Sequence, residues 1–312
     1  MAYNTIDSFI GKLRAILNDA GRQGDWENTF GFGNPASAVH VKRLLKTVTS
    51  EQLQARKTPK QAVPLFLPKL HSLSRHINIK MKSSQTSSLD MYILARDQAV
   101  LKTLFFSGDR GSDLGQVKTA EILRFPRDDG FLFNHIWGKS LRDGSSNMFG
   151  IHRHPNPLIC PVAANEKYVA ICQRLSIDLS LGYLFRPTTP QGEVIDKPLA
   201  SSTIQQRLKL YLKEARIDEG ETLHSLRAGC AISLALSDAQ LADIMSHVGW
   251  KIDQTALYYM KLAEVLQKDS PSLLLSSESS HVENSLERYQ DLNSLENFVS
   301  AFPSVSNKRP PS

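Results

Sequence analysis

The apolar residues of this chain recur at three- and four-residue spacing through most of its length, and strand-like runs interrupt that spacing in one region. Residues 122–125 (ILRF) and 130–136 (GFLFNHI) read as strands joined by the turn Pro126-Arg127-Asp128-Asp129, and Met148 to Ile151 can complete a small sheet. The pattern restricts the chain to a mostly α fold with a small β-sheet. At the front, Ile6, Phe9, Ile10, Leu13, Ile16 and Leu17 form one helical stripe. A second helix is expected to turn Val39, Val41, Leu44, Leu45 and Val48 inward and Lys42, Arg43 and Lys46 outward. A third is expected to open at Thr58-Pro59 and to run through Val63, Leu65, Phe66, Leu70 and Leu73, kinked or split by Pro64 and Pro68.

Lys80 to Ser88 (KMKSSQTSS) is polar and patternless, and reads as an interdomain linker. Further helices are expected over 89–107, 161–175, 202–215, 223–236 and 255–266, with Phe185 to Pro198 as a loop. Ser237-Asp238-Ala239-Gln240 reads as a capping box restarting a helix that buries Leu241, Ile244 and Met245. These breaks divide the chain into a helical domain at 1–82, a larger domain at 83–268 and a mostly disordered tail at 269–312.

Charge is uneven along the 312 residues. Residues 1–82 carry 13 Lys+Arg against 5 Asp+Glu, residues 83–263 carry 20 against 19, and residues 264–312 carry 4 against 7. A basic front end suits a polyanion, because neutralised phosphates release counterions; it also suits an ordinary solvated surface. No run of eighteen apolar residues offers a membrane span, and MAYNTIDSFIGKL has no signal-peptide apolar block. Three scattered cysteines (Cys160, Cys172, Cys230) lack any metal-ligand spacing, which suits buried filler in a reducing compartment.

The residues that can carry chemistry lie in the larger domain. Arg110 follows Gly108 where one helix ends and another begins, with Asp113 three residues on to orient it. His224 and Arg227 share one helix face and can grip a phosphate from two directions. His247 ends a short amphipathic helix before Gly249 and Trp250, and Tyr258 and Tyr259 lie on the last helix. Taken singly, each has an ordinary reading: a surface arginine, a chance HxxR, a histidine favoured by the helix dipole, a packed tyrosine.

Taken in order, Arg110, His224-x-x-Arg227, His247 and the tyrosine pair resemble the catalytic set of the tyrosine recombinase/phage integrase family. Thr255-Ala256-Leu257-Tyr258-Tyr259 and Tyr259-Met260-Lys261-Leu262 match the family's surroundings of the nucleophile if it is Tyr259, with Tyr258 as the alternative. Lys139, in Trp137-Gly138-Lys139-Ser140, is the match to the family's lysine on a sheet turn. The gap from His247 to Tyr259 is somewhat longer than in many bacterial members. Gly33-Asn34-Pro35, Thr58-Pro59-Lys60-Gln61-Ala62, Cys160-Pro161-Val162 and His247-Val248-Gly249-Trp250-Lys251 resemble the tyrosine recombinases of eukaryotic mobile elements, notably Cryptons.

The resemblance covers roughly residues 1–268. It implies an N-terminal helical core-binding domain, with Lys42, Arg43, Lys46 and Lys60 toward DNA, and a mixed α+β catalytic domain. It further implies strand breakage and rejoining of double-stranded DNA through a 3′-phosphotyrosyl link, without metal or cofactor. Arg110, His224, Arg227 and His247 would stabilise the phosphate, Lys139 would be the general acid, and Asp113 and Trp250 would support them. By analogy it also implies a tetramer on paired sites and a nuclear location. The alternative is a domesticated DNA-binding protein that has kept the fold and lost cleavage.

Overall fold

The structure, a computed structural model, describes residues 3–55, 62–138, 141, 146–251 and 253–266. By contact the chain divides into two units, Met1–Gln61 and Ala62–Ser312. Thr58 to Lys60, Lys139 and the tail expected at 269–312 lie outside the described residues.

In the first unit, helix α1 (Tyr3–Asp19) and helix α2 (Val39–Gln54) flank an irregular segment rich in glycine. Buried Asn34 organises that segment. Its Nδ2 donates to the Arg14 carbonyl at 2.8 Å and to Asn18 Oδ1 at 2.7 Å, while its Oδ1 accepts the Ala36 amide at 2.9 Å. Leu45 is buried as expected, but Val39 and Leu44, expected inward, stand 52% and 56% exposed. Two helices and a turn supply too little surface within this unit to cover a wide apolar face. Phe9 and Ile16 of α1 are exposed for the same reason.

The second unit is built around helix α4 (Ser88–Ser107), which packs against α3 (Leu67–Lys82), α6 (Pro161–Arg174), α7 (Ser201–Glu214) and α8 (Leu223–Leu236). Ser87 caps α4, its Oγ accepting the Asp90 amide. The polar run expected to link two domains is therefore a short turn between α3 and α4, and α3 packs with the second unit. Helix α3 also starts later than expected. Residues 63–66 are not helical, with Phe66 extended as the N-cap: Pro64 disfavours helical geometry at Val63, and Pro68 is accommodated in the first turn, where its missing N–H costs nothing.

Strands β1 (Ile122–Arg124), β2 (Gly130–His135) and β3 (Asn147–His152) form an antiparallel sheet in the order β1-β2-β3. Its register pairs Phe133 with Phe149, which stack with centroids 5.2 Å apart and turn inward. A short helix α5 (Gly111–Leu114) follows α4, and helices α9 (Leu241–Val248) and α10 (Asp253–Leu266) close against α8. The expected capping box at 237–240 is absent: Gln240 is the N-cap of α9 and its side chain makes no cap hydrogen bond. Asp238 takes a left-handed φ of 61° there, so the segment turns tightly before α9 begins. Where α8 meets the extended segment before α3, Gly229 leaves room for the Leu65 carbonyl, 1.8 Å from where a Cβ would lie. Among the described residues no helix is long and apolar enough to cross a membrane.

Because α4 is surrounded, it buries polar groups that look solvent-facing in the sequence. Asp97 collects Arg207 Nε at 2.6 Å, the Tyr211 hydroxyl at 2.7 Å and Arg96 Nη2 at 2.8 Å. Lys102, 2% exposed, donates to Gln98 Oε1 at 3.0 Å, and burial pushes its ammonium down to about 8. The folded chain thus sheds a proton that the unfolded chain keeps, so this residue's contribution to stability rises from about pH 8 toward pH 10.5. Lys102→Met should be more stable at pH 7 by up to about 3 kcal/mol. Its denaturation midpoint should also lose the upward slope above pH 8; equal slopes for the two chains would refute this account.

Candidate active site

Helix α4 ends at Gly108, with φ 61° and ψ 17°. A side chain there would be strained by that φ, and its Cβ would lie 2.9 Å from Val248 Cγ2 and 3.2 Å from Cys230 Sγ. Glycine therefore lets α8 and α9 close on the end of α4. Asp109 follows, buried; its amide donates to Ser107 Oγ at 3.1 Å and its Oδ1 accepts the Arg110 amide at 2.8 Å. Arg110 is the N-cap of α5, and its Nη1 lies 3.5 Å from Oδ2 of buried Asp113, a long contact. Ser112 Oγ donates to the other Asp113 oxygen at 3.0 Å. Gly138, just past β2, lies against the same carboxylate, 3.1 Å from where its Cβ would be.

Thr222 and Ser225 form a reciprocal cap on α8, which fixes the first turn that carries His224 and Arg227. Arg227 is 6% exposed. Its Nη1 donates to the Gly108 carbonyl at 2.5 Å and the Val248 carbonyl at 2.9 Å, tying α4, α8 and α9 together. Its Nη2 is buried and makes no hydrogen bond among the described residues. Burial first, and then the like charge of Arg110, push the guanidinium down to about 10, while Asp109 pulls the other way. It remains a cation at neutral pH. His224 is exposed and shares with Arg110 a cleft of about 460 Å³, lined also by Ser201, Ser202 and Gln205 of α7.

His247, in the last turn of α9, places Nε2 2.8 Å from the Phe106 carbonyl. Only an N–H can satisfy that carbonyl, so in the neutral ring Nδ1 is an acceptor, and His247 can donate elsewhere only as the imidazolium. Gly249 ends α9 with φ 72° and brings Trp250 back over the site. The Trp250 ring lies 5.0 Å from the Arg227 guanidinium and stacks on Tyr259 at 5.6 Å with 13° between planes. Tyr258 meets the edge of Tyr259 at 5.3 Å and is 47% exposed. Burial, reinforced by Tyr258 and opposed by Arg227, raises the Tyr259 phenol above the ordinary tyrosine value.

The structure therefore brings Arg110, Asp113, His224, Arg227, His247, Trp250 and Tyr259 to the C-terminal end of α4 and its neighbours. Lys139 and Lys60 lie outside the described residues. Lys42, Arg43 and Lys46 are exposed on α2 in the first unit, with Lys42 paired to Asp25 at 3.1 Å. Two residues at the site escaped the sequence reading. Asp109 was visible only as a neighbour of Arg110, and His135, which faces it from β2, carried no local signal at all. All three cysteines are buried, and burial pushes the thiols of Cys172 and Cys230 up to about 11 and about 12. Among the described residues no group of His, Cys, Asp or Glu is placed to hold a metal ion.

No protein-family model matches the chain, and no curated protein matches it by sequence. Solved structures do match. The XerH site-specific recombinase in a post-cleavage complex with palindromic difH substrate aligns with a TM-score of 0.52 and 14% identity. That alignment covers 69% of this chain and 54% of XerH, so this chain spans about half the length of that protein. XerA recombinase gives 0.47 and 18% identity over 84% of this chain and 75% of its own. A lambda integrase dimer bound to a COC′ core site gives 0.44 and 15% over 91% and 67%. At such identities the likeness is one of fold: the helices around a three-stranded antiparallel sheet are arranged as in the XerH recombinase fold.

Proposed function

We propose that this chain cuts and rejoins DNA strands, with Tyr259 as nucleophile, in site-specific recombination or the integration of a mobile element of the Crypton type. The observation that carries the reading is the pairing of Arg227 with Arg110 at one end of α4, beside Trp250 and Tyr259. Two guanidinium groups within electrostatic reach of each other repel, and an anion between them would turn that cost into binding. A phosphodiester is such an anion, and the nearby phenol supplies an oxygen that can attack it.

In the proposed reaction the Tyr259 oxygen attacks phosphorus, the new P–O bond forms, and the bond to the 5′ oxygen breaks. The phenolic proton passes to His224 or water, and the departing 5′ oxygen takes a proton from Lys139, leaving a 5′ hydroxyl and a 3′-phosphotyrosyl link. Attack by a 5′ hydroxyl reverses each transfer and rejoins the strand. The guanidinium groups of Arg110 and Arg227, with His224 and His247, would offset the charge on the non-bridging oxygens. The burial of Arg227 beneath Trp250 requires the Trp250–Tyr259 stack to shift when DNA binds. The exposed basic face of α2 suits backbone phosphates. Joining two sites calls for several copies, which we propose to be four, acting in the nucleus.

One observation favours the alternative of a DNA-binding protein without cleavage: Arg227 Nη1 is already engaged by two carbonyls. A nicked duplex that traps covalent intermediates separates the readings. The unaltered chain and Tyr258→Phe should form a denaturation-resistant adduct, Tyr259→Phe none, and Arg227→Ala should slow its formation roughly 100-fold or more. DNA binding with no adduct from the unaltered chain would establish the non-catalytic reading.

The state of the nucleophile can be measured without DNA. In a Tyr258→Phe background, Trp250→Ala should open Tyr259 to water and lower its ionisation toward the ordinary tyrosine value. Absorbance titration of phenolate reads this, and an unmoved midpoint would show that Trp250 does not shield the phenol.

A further inference from the structure

His135 ends β2 with its ring 2% exposed, edge-on to the stacked pair Phe133 and Phe149. Its Nδ1 lies 3.1 Å from Asp109 Oδ2, although the ring is not in line for a hydrogen bond with that oxygen. Asp109 is itself 6% exposed, and its second oxygen holds the Arg110 amide at 2.8 Å. The residue before Asp109 supplies the carbonyl gripped by Arg227, and the residue after it is Arg110. One carboxylate thus fixes the turn that sets both guanidinium groups, and one strand histidine faces that carboxylate.

A buried carboxylate is costly unless a positive or donating group meets it. Around Asp109 those groups are His135 from β2, the Arg110 amide and Arg227 from α8, with Asp113 of α5 opposing. Arg227 is already committed to two carbonyls. The two phenylalanine rings leave its Nε2 without a hydrogen-bond partner among the described residues, and the charged groups that face the ring are Asp109, at 3.1 Å, and Glu121. A histidine placed only for packing would gain nothing over phenylalanine in an aromatic pocket that already contains two.

We infer that His135 and Asp109 are a positioning pair for the proposed strand cleavage: the sheet, through His135, holds Asp109 against the Arg110 amide and so sets Arg110 and Arg227 around the phosphate. Neither residue touches the reacting atoms; they act through the two arginines. The inference rests on the proposed cleavage, and it also has consequences that do not.

The test uses the full chain with His135→Phe, which keeps the ring, and His135→Asn, whose side-chain N–H lies near the place of Nδ1. In single-turnover cleavage of the nicked duplex, His135→Phe should be slower by about tenfold or more, a size expected when a supporting contact is lost. Its DNA affinity should stay within about twofold, and His135→Asn should recover most of the rate. Asp109→Asn should match His135→Phe, and the double variant should be no slower than either alone. Hydrogen exchange at the Arg110 amide supplies the readout independent of cleavage: protection should fall in His135→Phe and be restored in His135→Asn. Unchanged protection in His135→Phe, or no recovery by His135→Asn, overturns the inference whether or not the chain cleaves DNA. If the unaltered chain forms no adduct while the exchange pattern holds, the cleavage reading fails and the positioning pair stands.

Discussion

The grip of Arg227 on two backbone carbonyls is the contact on which this site depends. A guanidinium on α8 reaches the carbonyl of Gly108 at the end of α4 and that of Val248 at the end of α9. Each carbonyl belongs to a helix C-terminus, where the intrahelical partner is missing and the dipole is negative. A buried cation is tolerated at that spot because two helix ends offset its desolvation. Glycine at 108 lets the ends of α4 and α9 approach without a side chain in the way, and glycine at 249 leaves room for Asn147 of β3. Arg227 is therefore a structural cross-link before it is anything else, and the removal of its charge would loosen three helices together.

That double use explains what could be read from the residues and what could not. HxxR on one helix face, an arginine at a helix junction and a tyrosine after a histidine are local patterns, and local patterns survive in a sequence. His224 and Arg227 lie on one helix, exposed and buried respectively, and Arg110 stands where a new helix begins. The carbonyl partners of Arg227 and His247 belong to the backbone and have no letter of their own. Asp109 and His135 meet across 26 positions of chain and two elements, which periodicity cannot register. The choice between the tyrosines was legible only as a motif; burial adds that Tyr259 faces Trp250 while Tyr258 faces outward.

The fold was legible where one face of an element meets water. The three strands fall within a residue or two of their expected ends, and α8 spans the residues expected. Errors arose where burial surrounds an element or where proline rules compete. Helix α4 buries Arg96, Asp97, Gln98 and Lys102, residues that an amphipathic template assigns to solvent. Residues 63–66 have helical apolar spacing, but Pro64 contradicts it and the helix starts only at Leu67. The serine-rich run at 83–87 resembles a linker in composition, yet two helices pack against each other across it.

The indole of Trp250 packs against both a cation and a phenol, at 5.0 Å from Arg227 and 5.6 Å from Tyr259. Such packing makes the side chain a native optical gauge: parting the rings trades an aromatic neighbour for solvent and shifts the indole's emission. The chain has two other tryptophans, Trp26 and Trp137, and neither is stacked on an aromatic ring among the described residues. Light emitted from this one ring would therefore follow the closed arrangement of the arginine and the tyrosine as it opens.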